Sequence, residues 1–186
     1  MNPTASPKST RSFLEQLPHE HLLRDLMAEH DQLLARLDEL DERIEEYRDA
    51  AGTPGGREIA VRIRTIADEL VHAEPHHQRE EQVLFPELEA RGVVMPPRIM
   101  RREHEELRAW KQKLLAAASV PHPDSEAVAE PAGTLAAMLR DHIHKENEVL
   151  YPMALEMIPE RSTWERMRAT AMTFGPCCKT CSCKPS

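Results

Sequence analysis

Leu22, Leu23, Leu26, His30, Leu33, Leu37, Leu40 and Ile44 follow one another at steps of three and four, with polar residues between them. That period predicts one amphipathic helix from Pro18 to Ala50, with Pro18 in its first turn. Gly52-Thr53-Pro54-Gly55-Gly56 ends it in a turn. Ile59, Ile63, Ile66 and Leu70 give the apolar face of a second helix, from Arg57 to Arg91. Pro75 and Pro86 lie inside it. An interior proline removes a hydrogen bond and clashes one turn back, costing about 3 kcal/mol, so kinks or a break are expected. Gly92 and Pro96-Pro97 close the segment. A third helix is predicted from Pro97 to Ser119, a loop over 121–131, and a fourth helix from Gly133 to Ile158. A short terminal helix runs from Thr163 to Phe174, stopped by Gly175-Pro176.

Four long amphipathic helices with short links predict an all-α fold, an up-down-up-down four-helix bundle over residues 17–160. The Ser/Pro/Thr-rich residues 1–16 predict a disordered N-terminal segment, and residues 161–186 a short helix with a Cys-rich tail. Composition agrees: aromatics are only 4%, too few for a β-sandwich. The net charge of −8 argues against a nucleic-acid partner held through phosphate. No apolar run approaches the roughly 20 residues of a membrane helix, and MNPTASPKSTRS has no apolar signal core. The expectation is a cytoplasmic protein with no membrane partner.

The chain has ten histidines, and two histidine-bearing segments match without gaps. HHQREEQVLFPELE begins at His76 and HIHKENEVLYPMAL at His142. His76 pairs with His142, Glu80 with Glu146 and Pro86 with Pro152. Upstream, AEHDQLLARL carries His30 and REHEELRAW carries His104. The order His, then His-x-x-x-Glu, is thus stated twice, as in a duplicated helix pair. Residues four apart share one helix face, so His76 with Glu80, and His142 with Glu146, can aim at one point. Pseudo-two-fold packing would gather all six into one two-metal site.

With two bridging carboxylates, each ion would receive two imidazole nitrogens and two carboxylate oxygens. About two positions then stay open in a six-coordinate ion, for a shared oxo or hydroxo bridge and a small molecule. Imidazole with carboxylate suits iron or manganese, whereas a closed tetrahedral zinc site would use fewer ligands. A lone His-x-x-x-Glu is usually a surface pair. Two copies sharing a Leu-aromatic-Pro continuation are not.

These residues resemble the haemerythrin-like, HHE cation-binding family over roughly residues 17–160. EEQVLFPELEARGV, PPRIM and ENEVLYPMALEM, with Trp164 beyond, are similar to its bacterial branch. The resemblance implies a four-helix bundle with two non-haem iron ions held by His30, His76, Glu80, His104, His142 and Glu146. Haemerythrins proper have a second histidine one turn after the third-helix one, where Arg108 stands here. That argues against reversible oxygen carriage and for a more open metal. The chain also resembles iron-centre repair proteins of nitrosative stress, which carry a cysteine-bearing N-terminal segment. All four cysteines here, Cys177, Cys178, Cys181 and Cys183, fall in the last ten residues.

Other residues have weaker claims. His72, four before His76, is a candidate ligand or ligand partner. His77 and His144 are turned about 100° and 200° from their neighbouring ligands and are expected to be solvated or against helix neighbours. His19 and His21 suit a helix end, and His122 a loop. Arg108 is either a cation at a pocket mouth, pairing with a carboxylate, or a plain surface residue. Glu81 and Glu148 are outer-face carboxylates, either of which can orient a ligand histidine. Leu26, Leu33, Leu84, Met100, Leu107, Met138, Leu139 and Leu150 would make a dry lining suited to small uncharged gases. The tail thiols suit soft metals or disulfide exchange.

The resulting expectation is a non-haem di-iron protein that binds or senses O2 or NO, or handles iron under oxidative or nitrosative stress, with a possible protein partner. The alternatives are a di-iron oxidase or peroxidase-like enzyme, and an iron-centre repair or metal transfer protein using the C-terminal cysteines.

Overall fold

The computed structural model describes residues 16–175, and every regular element among them is helical. In chain order these are α1 (Leu22–Ala50), α2 (Pro54–His72), α3 (Glu74–Arg79), a π-helical turn (Glu80–Leu84) and α4 (Phe85–Glu89). There follow α5 (Met95–Ala118), α6 (Ser125–Lys145), a second π-helical turn (Glu146–Leu150), α7 (Tyr151–Met157), α8 (Arg161–Ala171) and a 3-10 turn (Met172–Phe174). Residues 1–15 and all four cysteines lie outside the described residues. None of the described helices is long and apolar enough to cross a membrane.

Local chemistry explains where the boundaries differ from the sequence expectation. α1 begins at Leu22, after Pro18, because the His21 ring Nδ1 accepts the Leu23 N–H at 3.3 Å and caps the helix. α2 begins before Arg57, since Thr53 Oγ1 accepts the Gly56 N–H at 3.0 Å. Gly56 itself is required by a close approach: a Cβ there would lie 2.1 Å from the Ala50 carbonyl oxygen. The expected loop over 121–131 is shorter than its prolines suggest. Asp124 Oδ1 accepts the Ala127 N–H at 2.9 Å, starting α6 at Ser125 and leaving Pro131 inside the helix.

Both internal prolines of the second segment act as expected, in two ways. Ahead of Pro75 the helix breaks at Ala73. Ahead of Pro86 it widens instead, and the Phe85 N–H reaches the Glu80 carbonyl five residues back. Pro152 repeats this, with the Tyr151 N–H donating to the Glu146 carbonyl. The duplication seen in the side chains therefore extends to the backbone.

α1 packs on α2 and α6, and α5 packs on the same two helices. Two buried apolar clusters result. One holds Leu37, Leu40, Ile66, Leu114 and Leu135, and the other Leu23, Leu26, Leu84, Phe85 and Tyr151. α8 completes the second cluster through Trp164, whose indole N–H donates to the Ile158 carbonyl at 2.8 Å. The lining residues named from sequence divide between the two, with Leu33, Leu107 and Leu139 in one and Leu26, Leu84, Met100 and Leu150 in the other. The histidines and glutamates lie at helix positions between these clusters.

Candidate metal centre

The structure brings all six sequence-derived residues together. His30, His76, Glu80, His104, His142 and Glu146 are each at most 2% exposed. His30 comes from α1, His76 from α3, His104 from α5 and His142 from α6, while each glutamate opens a π-helical turn. Two groups of ligating atoms form, each within 4.8 Å: His30, His76, Glu80 and Glu146, and then Glu80, His104, His142 and Glu146. Both carboxylates belong to both groups.

Each histidine is oriented by an outer partner on Nδ1, which leaves Nε2 facing inward. His76 donates to Glu29 Oε2 at 2.8 Å and His142 to Glu103 Oε2 at 2.8 Å. His104 donates to Glu81 Oε1 at 2.7 Å and His30 to Asn147 Oδ1 at 3.0 Å. Fixing one ring nitrogen as donor makes the other a lone-pair ligand. The inward atoms are then short of partners. His30 Nε2 and His76 Nε2 stand 2.9 Å apart, lone pair to lone pair. Two nitrogens about 2.1 Å from one ion at a right angle would be about 3.0 Å apart. Glu80 Oε2, both oxygens of Glu146, His104 Nε2 and His142 Nε2 are buried without a hydrogen bond. A cation answers all of these at once, so the donor set fits a metal.

The outer layer was largely missed from sequence, although the repeat carries it. Glu29 and Glu103 each precede the upstream histidine, in AEH and REH. Arg79 and Lys145 stand three after the ligand histidines and hold those same two carboxylates. Asn147, not Glu148, is the counterpart of Glu81. The halves also differ. The Tyr151 hydroxyl donates to Glu80 Oε1 at 2.8 Å, where the equivalent residue is Phe85. Arg79 additionally donates to the Ala171 and Gly175 carbonyls, fastening the C-terminal segment to the outer layer.

Three further expectations are corrected or resolved. His77 is not solvated: it is 1% exposed and its ring stacks on His104 with centroids 3.9 Å apart. The π-helical turn and the break at Ala73 tilt α3 so that this face is covered. His72 is no ligand here, since its side chain is 53% exposed and Nδ1 donates to the Asp68 carbonyl at 2.8 Å. Arg108 pairs with two carboxylates, Glu74 at 2.7 Å and Glu81 at 2.9 Å. A cavity of about 30 Å3, room for one small molecule, lies beside Glu29 and is walled by Leu33, Leu70 and Ala73.

The protonation pattern shows how much positive charge the centre demands. Burial by itself lowers the pKa of His30, yet Glu146 and Glu80 outweigh it and raise the value. The same contest lifts His104 well above the usual range. It lifts His142 to about 9, where burial is outweighed by Glu146 and Glu103. Burial opposes ionisation of Glu146, but His142, His104 and His30 hold its pKa far below the ordinary carboxylate value. A histidine with a raised folded pKa contributes stability that is complete below about pH 6.5 and is lost as pH rises through the folded value. The thermal midpoint of chelator-treated protein should therefore fall between about pH 7 and about pH 10, through the value of about 9 for His142. Bound divalent metal should flatten that slope, because the ligand form of histidine is unprotonated. A flat profile in the stripped protein would contradict the charge pattern.

Two curated proteins share this pattern of sequence. The iron-sulfur cluster repair protein YtfE of Musicola paradisiaca (strain Ech703) is 29% identical over 136 residues, 68% of this chain and 59% of its own length. The iron-sulfur cluster repair protein DnrN of Neisseria gonorrhoeae is 32% identical over 108 residues, 53% of this chain and 67% of its own length. The chain thus spans about three-fifths to two-thirds of the relatives it matches. Residues 21–154 match the Hemerythrin HHE cation binding domain and include all six of the clustered histidines and glutamates. With fold, donor set and match in agreement, the chain belongs to the hemerythrin HHE cation-binding family.

Proposed function

We propose that this protein binds two iron ions between its paired helices and uses them in the repair or handling of iron centres under nitrosative or oxidative stress. One observation carries the reading: two four-residue donor groups share Glu80 and Glu146, and their inward atoms are buried without hydrogen-bond partners. Each ion would take two imidazoles, His30 with His76 or His104 with His142, and would share the two carboxylates. The ring of contacts among α1, α2, α5 and α6 supports the up-down-up-down bundle. The printed role of both relatives, iron-sulfur cluster repair, supports the choice of iron and of process.

When bound, iron supplies reversible one-electron chemistry and open positions for a diatomic such as NO or O2. The chain's residues do the rest. The outer carboxylates set the histidine tautomers, the two apolar clusters limit water, and Tyr151 holds Glu80 in place. The test has two stages. Protein expressed with iron supplied should hold about two irons per chain, judged by metal analysis and the visible spectrum before and after reduction. It should then restore activity to a [4Fe-4S] enzyme inactivated by nitric oxide, under reducing anaerobic conditions. Two irons with no restoration would leave gas binding as the role. Binding of zinc alone would remove the iron reading.

A further inference from the structure

The residue after His76 is a histidine that the duplication does not call for. Its counterpart in the second copy is Ile143, a buried apolar residue. His77 is 1% exposed, and its Nδ1 has no hydrogen-bond partner. The nearest carboxylate oxygen, Glu74 Oε2, is 3.7 Å away, and Glu74 is committed to Arg108. A buried ring nitrogen in that position is costly unless something takes it up. The surroundings are ligand histidines. The His77 ring lies flat against His104, and its centroid is 6.1 Å from that of His142, which it meets edge-on at 83°. Ligating nitrogens of His77, His104 and His142 lie within 4.8 Å of one another. No side chain of α5 competes for this space from one turn beyond His104, because Arg108 is turned to Glu74 and Glu81.

The geometry points to His77 as a fifth histidine ligand, serving the ion held by His104 and His142. This rests on the two-ion reading above. The two halves then differ in kind: one ion has two imidazoles and the other three. The stack sets a condition. Ligand lone pairs lie in the ring plane, and the planes of His77 and His104 are only 12° apart. Parallel stacked rings cannot both aim at one ion, so ligation requires the His77 ring to swing out of the stack. If instead the ring remains stacked, it only braces His104. Phenylalanine can brace in the same way but cannot ligate.

The experiment compares the full wild-type chain with His77→Phe, each loaded anaerobically with ferrous iron. His77→Ile, with the residue the second copy uses, is the second variant should the phenylalanine protein not fold. Iron per chain, the rate of loss to a ferrous chelator and the Mössbauer spectrum are read. The wild type should show two inequivalent irons. The variant should keep wild-type helicity and surrender one iron at least about tenfold faster, with the two iron signals becoming alike. A His77→Phe protein that holds both irons as tightly as wild type, with an unchanged spectrum, overturns the ligand assignment and leaves the two-ion reading intact. A wild-type chain that binds fewer than two irons overturns that reading, and this inference with it.

Discussion

Glu146→Ala should strip the protein of metal from both halves of the site at once. The Glu146 carboxylate faces three of the histidines. Oε2 lies 3.1 Å from His30 Nε2, and Oε1 lies 3.0 Å from His142 Nε2 and 3.7 Å from His104 Nε2. It is also fully buried, so no solvent can replace the lost oxygens. Losing only an outer partner of a metal ligand costs about 10–100-fold in affinity, and loss of a shared ligand is expected to exceed that. Metal analysis after passage over a chelating resin gives the answer. His72→Ala is the matched control, since that exposed histidine lies on the same strip of chain and should leave metal content unchanged. A Glu146→Ala protein with full metal content would mean that the carboxylate is structural.

The second large effect falls on Glu29, and it is an effect on stability. Glu29 binds Arg79, and the two side chains are 7% and 6% exposed. Arg79 also donates to the Ala171 and Gly175 carbonyls, so it cannot leave without unfastening the C-terminal segment. Breaking a buried pair by removing one partner costs about 3–5 kcal/mol, because the other charge stays buried. The mirror-image change, Glu103→Ala, removes an oxygen from Lys145, which is 39% exposed and also pairs with Asp141 at 2.6 Å. Water can take over there, and the expected cost is about 0–1 kcal/mol for that pair. Urea unfolding of the two stripped variants should separate them by several kcal/mol, with Glu29→Ala the less stable. Equal losses would show that burial of Arg79 does not matter. In metal affinity, by contrast, the two should behave alike, since each carboxylate orients one ligand histidine.

The helices and the six central residues were legible because they obey short-range rules: steps of three and four for the apolar faces, a step of four for His-x-x-x-Glu, and the same string written twice. The starts of α1, α2 and α6 depend on single caps, at His21, Thr53 and Asp124, that no period reveals. His77 was misplaced for a related reason. An ideal helix turns it away from His76, but covering that face depends on how α3 and α5 meet, which is tertiary information. The outer layer lay between these cases. Glu29 with Glu103, and Arg79 with Lys145, are duplicated in the sequence. Their meaning appears only when the partner histidine, some 40 or more residues away in the chain, is brought opposite. The lysine on the buried stripe of α5, Lys111, was a further signal: it follows Leu107 by four and precedes Leu114 by three, and it is 3% exposed.

The wide turns that start at Glu80 and Glu146 set the tolerance of this fold to changes in length. Such a turn holds one more residue than an α-helix would use for the same set of facings. Deleting one residue from Glu81–Leu84 would close it to an ordinary helical turn and rotate everything after it by about 100°. Leu84 and Leu88, both at 0% exposure, would leave the apolar cluster they now fill. The link between α5 and α6 has no such phase to keep, because Asp124 restarts the next helix wherever it falls. Insertions and deletions should therefore be absorbed in that link and rejected in the wide turns, although both are short stretches of similar polarity.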